Sequence, residues 1–113
     1  MRYRFQKAQR LHKPGEIREL FTVGQFIHGE LFHLLYRPAE ELRVLFTTSK
    51  QVRRKPDRNR IKRRLREVYR LEQHKLDLPR IHLGIIGTEH VQWATHRELI
   101  DAFYFMAKQI AAE

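Results

Sequence analysis

Apolar residues recur at helical spacing in three stretches of the chain, at about residues 16–24, 58–74 and 95–110. In each stretch they return at every third or fourth position, which places them on one side of a helix. The pattern therefore predicts three amphipathic helices. Their apolar positions are Ile17, Leu20 and Phe21; Ile61, Leu65, Val68 and Tyr69; and Leu99, Ile100, Phe103, Met106, Ala107 and Ile110.

The ends of these helices carry typical start and stop residues. We expect Gly24 to end the first helix and the segment 77–79, which contains a proline, to interrupt the second. Asp57 is a typical N-cap for the second helix, because its carboxylate accepts hydrogen bonds from exposed backbone N–H groups. The third helix is expected to open at Thr95 or His96.

Three other stretches are rich in β-branched and apolar residues and predict strands. The first lies at about residues 30–37 and the second at 43–49. The polar turn 38–41 joins them, so an antiparallel hairpin is expected. Residues 81–86 suit a buried central strand. Strands interleaved with helices favour an α+β domain of two layers, with the helices against one sheet.

The length of 113 residues favours one domain, 1–113, in which residues 1–8 form a loosely ordered basic arm. The chain has no cysteine, which excludes a thiolate zinc site and fits a reducing cytoplasm. No apolar run approaches the roughly 18 residues of a membrane span. We therefore expect a cytoplasmic protein with no membrane partner.

Basic residues are concentrated in one part of the chain. The formal net charge is +10, and residues 50–70 hold 11 of the 23 lysines and arginines but only two acids, Asp57 and Glu67. A charge this dense calls for a polyanionic partner, and nucleic acid is the leading candidate.

Within the second predicted helix, the cations lie opposite the apolar stripe. Neighbouring side chains on one side of a helix are about 5–6 Å apart, which approximates the spacing of successive phosphates, and arginine can bind a phosphate with two hydrogen bonds. The alternative is a solvated charged surface, but its unneutralised repulsion makes sense only if a polyanion relieves it. These residues are Asn59, Lys62, Arg63, Arg66 and Arg70, with the basic loop Arg53-Arg54-Lys55 before them.

No catalytic arrangement stands out. Ser49 is the only serine and has no nucleophile elbow around it, and the chain has no glycine-rich phosphate loop. The histidines lack the helical spacing of metal ligands, and the acidic pairs suit solvated turns. We expect the aromatic residues near the C-terminus to be core and rim rather than stacking platforms. They are Trp93, Phe103, Tyr104 and Phe105.

A groove for single-stranded nucleic acid is a further hypothesis. The strand at 43–49 and the lysine after it could present Thr47, Ser49 and Lys50, and Phe21 of the first helix could form the opposite wall. An apolar wall with a cationic rim suits a single strand. The equally weighted alternative is that Phe21 is simply a core residue.

The stretch 58–67, RNRIKRRLRE, resembles the signature of the protein subunit of bacterial ribonuclease P. Arg43-Val44, Ser49-Lys50 and Leu20-Phe21 with Gly24 resemble other parts of that family, and the resemblance covers about residues 5–110. The chain departs from the family pattern at Ile17, Leu45, Gln51, Arg53, Arg54, Lys55, Pro56 and Gly87.

The resemblance implies a small α/β sandwich of order α-β-β-β-α-β-α, with a four-stranded sheet and a left-handed βαβ crossover. It also implies a non-catalytic, monomeric subunit of a ribonucleoprotein endoribonuclease. The ribonuclease P RNA, which binds most of the Mg²⁺, removes the 5′ leader of precursor tRNA, and the protein holds no metal site. The alternative is a stand-alone basic RNA- or DNA-binding module, such as a ribosome-associated protein.

By the same resemblance, two sets of residues bind RNA. The set expected at the RNA subunit is Arg54, Arg58, Asn59, Arg60, Lys62, Arg63, Arg66 and Arg70. The set expected at the precursor tRNA leader is Ile17, Phe21, Thr47, Ser49 and Lys50.

Overall fold

A computed structural model describes residues 9–76 and 78–111. The predicted arm 1–8, and Asp77 of the predicted helix-breaking segment, lie outside the described residues. The predicted order of three helices and four strands is confirmed. The elements are α1 Pro14–Val23, β1 Gln25–Ile27, β2 Phe32–Pro38, β3 Arg43–Thr48, α2 Lys55–Glu72, β4 Ile81–Gly87 and α3 His96–Ala111, with a 3₁₀ segment at Glu89–Gln92.

The four strands form one mixed sheet in the order β1-β2-β4-β3. Strand β2 is antiparallel to β1 and β4, whereas β3 is parallel to β4. Helix α2 is therefore the crossover between two parallel neighbours, as the family resemblance implies. The handedness of that crossover stays a prediction.

The expected hairpin between β2 and β3 is wrong, because β4 lies between them. All seven residues of β4 are buried. Burial of such an apolar strand is most complete at the centre of a sheet, where a strand lies on each side of it and helices cover both faces. The short turn before β3 permits a hairpin, but the burial of β4 decides the pairing.

The apolar residues form two clusters on opposite faces of the sheet. Because successive strand residues point to opposite faces, Leu34 and Ile85 join the larger cluster under α2 and α3, and Leu35 and Ile86 join a smaller one under α1. The α+β sandwich is confirmed, with α1 crossing the face that α2 and α3 leave open.

The outer edge of β3 is covered by the segment before α1. Arg10 forms a parallel bridge with Val44, and the Leu11 backbone N–H donates to the Val44 carbonyl at 2.9 Å. The Leu11 side chain is fully buried in the smaller cluster. This segment is thus tied to the sheet by both its backbone and its side chain.

Helix α2 buries the predicted stripe, but it begins earlier than expected. Its N-cap is Arg54, in extended conformation, so the prediction of Asp57 as N-cap is wrong. Pro56 lies in the first turn, where a missing N–H costs nothing and the fixed φ suits a helix. Asp57 therefore falls inside the first turn, where its negative charge still favours the helix dipole.

Helix α3 begins as predicted. The Thr95 hydroxyl accepts from the Glu98 backbone N–H at 3.1 Å, and the Glu98 carboxylate accepts from the Thr95 N–H at 2.8 Å. This reciprocal pair is a capping box. The backbone N–H and the hydroxyl of Thr95 hold the pKa of Glu98 below its ordinary value, because hydrogen bonds donated to the carboxylate favour its charged form.

The expectation that the C-terminal aromatic residues are core and rim is half right. Phe103 is buried and Tyr104 is half-buried. Trp93 and Phe105 are each 70% exposed, so for them the prediction is wrong. Phe105 falls on the outward side of α3, and Trp93 lies in the connection before it, where periodicity says nothing about burial.

Gly87 marks the closest approach between α2 and the sheet. A Cβ atom at this position would lie 2.8 Å from Leu65 Cδ1 and still closer to Ile61 Cγ2. Both side chains belong to the core, so neither can move aside freely. The absence of a side chain at residue 87 is what lets α2 sit on the end of β4.

We therefore expect Gly87→Ala to lower the free energy of unfolding by about 1–3 kcal/mol, the usual cost of overpacking a core. Urea denaturation followed by circular dichroism measures it. Gly15→Ala is the matched control, because nothing lies within 4 Å of a Cβ there. The control should be neutral or stabilising by up to about 1 kcal/mol. Equal stability of the two variants would contradict the close approach.

Candidate nucleic-acid interface

The eight residues expected at the RNA subunit all lie on α2 or at its N-cap. The buried stripe of α2 faces the sheet and α3, so the cations occupy its outer surface and its two flanks. The structure brings the set together, but six of its members divide between two environments: the flank next to β3 and the outermost surface of the helix.

The flank next to β3 holds Arg58, Lys62 and Arg66. The Arg58 Nε–H donates to the Thr48 hydroxyl at 3.2 Å, which fixes the start of α2 to the end of β3. Lys62 and Arg66 line an open cavity of about 250 Å³ with Arg10. Cations from the helix and from the N-terminal segment thus converge over the edge of the sheet.

Arg66 is held in an unfavourable place for a cation. Its guanidinium carbon lies 5.7 Å from the ring centroid of Phe46, and its Nε atom is buried with no hydrogen-bond partner among the described residues. Burial lowers the pKa of Arg66, and the neighbouring charges of Arg10 and Arg63 lower it further. An anion placed at this flank would offset the cost of burying the guanidinium and the repulsion from Arg10 and Arg63.

The outermost surface of α2 carries a shallow groove. Asn59, Arg60 and Arg63 line it together with Lys55 and Pro56, around a volume of about 400 Å³. Arg60 lies 3.8 Å from the Asp57 carboxylate, which is a long and exposed ion pair. This groove offers amide, ammonium and guanidinium donors, and none of the residues that line it carries a carboxylate.

The cations of the set differ in whether a carboxylate of the protein lies close to them. Arg70 is bonded to Glu67, and this bond raises the pKa of Arg70 and lowers that of Glu67. Across residues 9–76 and 78–111, no carboxylate lies within 4.0 Å of Arg58, Lys62 or Arg63. In the free protein, Arg70 is therefore the member of the set whose charge is best neutralised. Arg54 is exposed at the N-cap.

Arg64 is a residue that sequence reasoning missed. Its Nη1 donates to the Val91 carbonyl, so it ties the 3₁₀ segment to the flank of α2 that lies away from β3. The signal available in the sequence was its position beside the apolar stripe, but its acceptor lies 27 residues away along the chain. Periodicity alone cannot find such a partner.

The groove expected between α1 and β3 stays a prediction, and the structure gives the exposure and position of the residues assigned to it. Phe21 is 52% exposed, so the alternative that it is a core residue is wrong. Glu19 binds Arg37 of β2 at 3.1 Å, which places that flank of α1 over β2. At 100° per residue, Phe21 lies on the other flank, toward β3. Ile17 is half-buried and packs on the smaller cluster instead of facing solvent fully.

The residues expected at the leader differ in burial and contacts at the end of β3. They are Thr47, Ser49 and Lys50. Thr47 is half-buried, on the sheet face that α1 crosses. The Ser49 backbone N–H donates to the Gly87 carbonyl at 2.9 Å, and Ser49 lines an open cavity of about 410 Å³ with His33 and others. Lys50 is exposed. The structure thus places small polar groups and one cation at a single end of the sheet.

The sequence analysis also missed a cluster of three aromatic rings, which lies beyond the flank of α1 that faces β2. The ring centroid of Phe26 lies 4.5 Å from that of His28 and 5.1 Å from that of His33. Burial and the nearby His28 lower the pKa of His33, whose Nδ1 accepts from the Gly29 N–H at 3.2 Å. These contacts depend on the pairing of β1 with β2, which local patterns did not reveal.

Neither a metal site nor a membrane span is found in the described part of the chain. Within residues 9–76 and 78–111, no three histidine or acidic side chains come together as metal ligands. In the same residues, no helix has the length and apolar character needed to cross a bilayer.

Comparison with known proteins places this geometry in a family. The family model for ribonuclease P matches residues 5–110. The ribonuclease P protein component of Chromohalobacter salexigens is 38% identical over 103 residues, which cover 84% of this chain and 79% of that protein. That of Thermus scotoductus is 42% identical over 76 residues, 67% of this chain but only 44% of that protein.

Solved structures show the same fold at lower identity. The ribonuclease P protein of Thermotoga maritima superposes with a TM-score of 0.76 at 19% identity, covering 89% of this chain and 96% of that one. The Staphylococcus aureus protein gives a TM-score of 0.71 at 20% identity, covering 93% and 96%. With the family match over nearly the whole sequence, these findings show that the chain belongs to the ribonuclease P protein component family.

Proposed function

We propose that this chain is the protein subunit of ribonuclease P, and that it binds the catalytic RNA through the outer surface and the β3 flank of α2. The observation that carries the proposal is the half-buried Arg66, crowded by Arg10 and Arg63 and lacking a counter-ion among the described residues. A site that is electrostatically unfavourable in the free protein is accounted for by a polyanionic partner.

The 5′ leader of precursor tRNA would occupy the groove between α1 and β3. Phe21 supplies an exposed ring for stacking a base, and Thr47 and Ser49 supply small polar groups at the end of β3. Lys50 adds an exposed cation for the backbone. Stacking plus phosphate contacts suits a single strand whose sequence varies.

The chemistry of leader removal falls to the RNA in this proposal. The carboxylates of α2 do not suit a Mg²⁺ site, because Asp57 and Glu67 each face an arginine and Glu72 lies 3.4 Å from the Lys75 ammonium. We therefore assign Mg²⁺ binding and hydrolysis to the RNA subunit. The protein contributes affinity and position: it holds phosphates of the catalytic RNA and of the leader, and it lowers the repulsion between them.

The decisive experiment is reconstitution. Precursor tRNA is incubated with the full-length protein alone, with bacterial ribonuclease P RNA alone at low Mg²⁺, and with both. We expect leader removal only with both, because the protein's cations replace part of the Mg²⁺ that screens the two RNAs. An unchanged Mg²⁺ requirement would reject the proposal and favour a stand-alone nucleic-acid-binding module. Cleavage by the protein alone would reject assignment of catalysis to the RNA.

Arg66→Met should separate binding from stability. Methionine keeps the contact with the Phe46 ring but removes the crowded charge. We expect the free energy of unfolding at low salt to be unchanged or raised by up to about 1 kcal/mol, while affinity for the ribonuclease P RNA falls. Urea denaturation and filter binding measure the two quantities. Lys108→Met, on the exposed side of α3, is the control that should leave affinity unchanged. A large loss of stability in Arg66→Met would contradict this account of Arg66.

Arg63→Ala should change the salt dependence of binding. Each phosphate that a cation neutralises adds about 0.7–0.9 to the slope of log affinity against log salt concentration. We expect the slope for Arg63→Ala to be shallower by about that amount. Filter binding across a salt series measures it, with Lys108→Ala as the control of equal charge change. Parallel slopes for wild type and Arg63→Ala would remove Arg63 from the interface.

A further inference from the structure

Trp93 is the only tryptophan of the chain, and 70% of it is exposed. It follows the 3₁₀ segment Glu89–Gln92 directly. A single exposed apolar side chain is common on protein surfaces and needs no explanation by itself. Two further observations, the fixed backbone beneath Trp93 and the charges beside it, distinguish this one.

The backbone that carries Trp93 is tied down on both sides. Val91 is fully buried, and the Thr88 hydroxyl donates to the Leu31 carbonyl at 2.8 Å. The Trp93 N–H itself donates to the His90 carbonyl at 3.2 Å. The capping box of α3 begins at Thr95. The indole thus projects from a fixed support, so little backbone entropy is lost when a ligand covers it.

The same support lies against the cationic helix. Arg64 of α2 donates to the carbonyl of Val91, two residues before Trp93. Since consecutive Cα atoms are about 3.8 Å apart, the Trp93 Cα lies within about 8 Å of the Val91 Cα. On the other side of Trp93, His96 is close enough to Glu67 to help lower the pKa of that carboxyl. Trp93 therefore lies beside the flank of α2 that faces away from β3.

Three of the four acids of this neighbourhood have partners in the protein, whereas Glu89 of the 3₁₀ segment is exposed and has no ion pair among the described residues. Glu67 is bonded to Arg70, Asp101 lies 3.4 Å from Arg97, and Glu98 caps α3. Arg64 donates one hydrogen bond to a backbone carbonyl, and because a carbonyl is neutral this bond leaves the charge of Arg64 uncompensated. An exposed indole near an arginine that has no ion pair within residues 9–76 and 78–111 offers a flat surface for a base and a cation for a phosphate.

We propose that Trp93 stacks on an unpaired nucleobase of RNA, with Arg64 and the neighbouring cations of α2 holding the adjacent phosphates. The proposal rests on the RNA-binding function above. The base belongs to the ribonuclease P RNA or to the precursor leader. Trp93 lies on the α2 side of the sheet and Phe21 on the α1 side, so the RNA subunit is the assigned source.

Tryptophan fluorescence tests the stacking directly, because all of the protein's indole emission comes from Trp93. The full-length protein is titrated with a ribonuclease P RNA transcript and, separately, with a single-stranded oligoribonucleotide of leader sequence. We expect the transcript to quench the emission and to protect the indole from acrylamide. Quenching by the oligoribonucleotide but not by the transcript would overturn the assignment to the RNA subunit.

Substitutions test the contribution to affinity. Trp93→Ala should weaken binding of the transcript by about 5- to 100-fold, the range expected for loss of one stacked base. Trp93→Phe should retain most of the affinity, because a smaller ring can still stack. Phe105→Ala is the matched control: Phe105 is also 70% exposed, but it lies more than two turns into α3, and its removal should change nothing.

The outcomes separate this proposal from the function on which it rests. If Trp93→Ala binds the transcript like wild type while Arg63→Ala binds it weakly, the stacking is overturned and the RNA-binding function stands. If the wild-type protein itself does not bind the transcript, the proposed RNA-binding function is rejected, and the stacking proposal is rejected with it. If Trp93→Ala only abolishes a concentration-dependent dimer in sedimentation, the indole serves a second copy of the chain and the proposal is overturned.

Discussion

The contact between α2 and the end of β4 is the constraint on which the rest of the molecule depends. Ile61 and Leu65 occupy the space that a side chain at residue 87 would need. This contact buries the apolar stripe completely, so every cation of α2 must lie on its outer surface or its flanks. The same contact brings the flanks within reach of neighbours, with Arg58 bonded to Thr48 and Arg64 to the Val91 carbonyl.

Charge and packing act against each other on this helix. The core contacts hold α2 in place although Arg66, Arg63 and Arg10 repel one another. The free energy that holds the repelling cations together comes from the two clusters on the faces of the sheet. In the proposed complex, RNA would gain the relief of that repulsion in addition to its own contacts. Glu67 limits the repulsion only locally, at Arg70.

Local patterns predicted the parts of the fold that local physics determines. The stripe from Ile61 to Tyr69 and the start of α3 depend on spacing and capping, and both were predicted. The pairing of β3 was not, since it depends on which strand gains most from burial at the centre. Periodicity predicted the outward position of Asn59, Lys62, Arg63, Arg66 and Arg70, and the family resemblance added Arg58 and Arg60 to the cationic set. The ring cluster at Phe26 and the bond from Arg64 join residues distant in sequence or on a strand too short to predict, so no local signal marked them.

The bridge between Arg10 and Val44 protects an edge of the sheet. The Leu11 N–H and the Val44 carbonyl satisfy each other at 2.9 Å. Without that segment, the outer side of β3 would present unpaired backbone groups next to an opened apolar cluster, and such an edge is a template for pairing with strands of other molecules. The few residues before α1 therefore guard the protein against aggregation, and a shortened variant meant to remain monodisperse has to retain them.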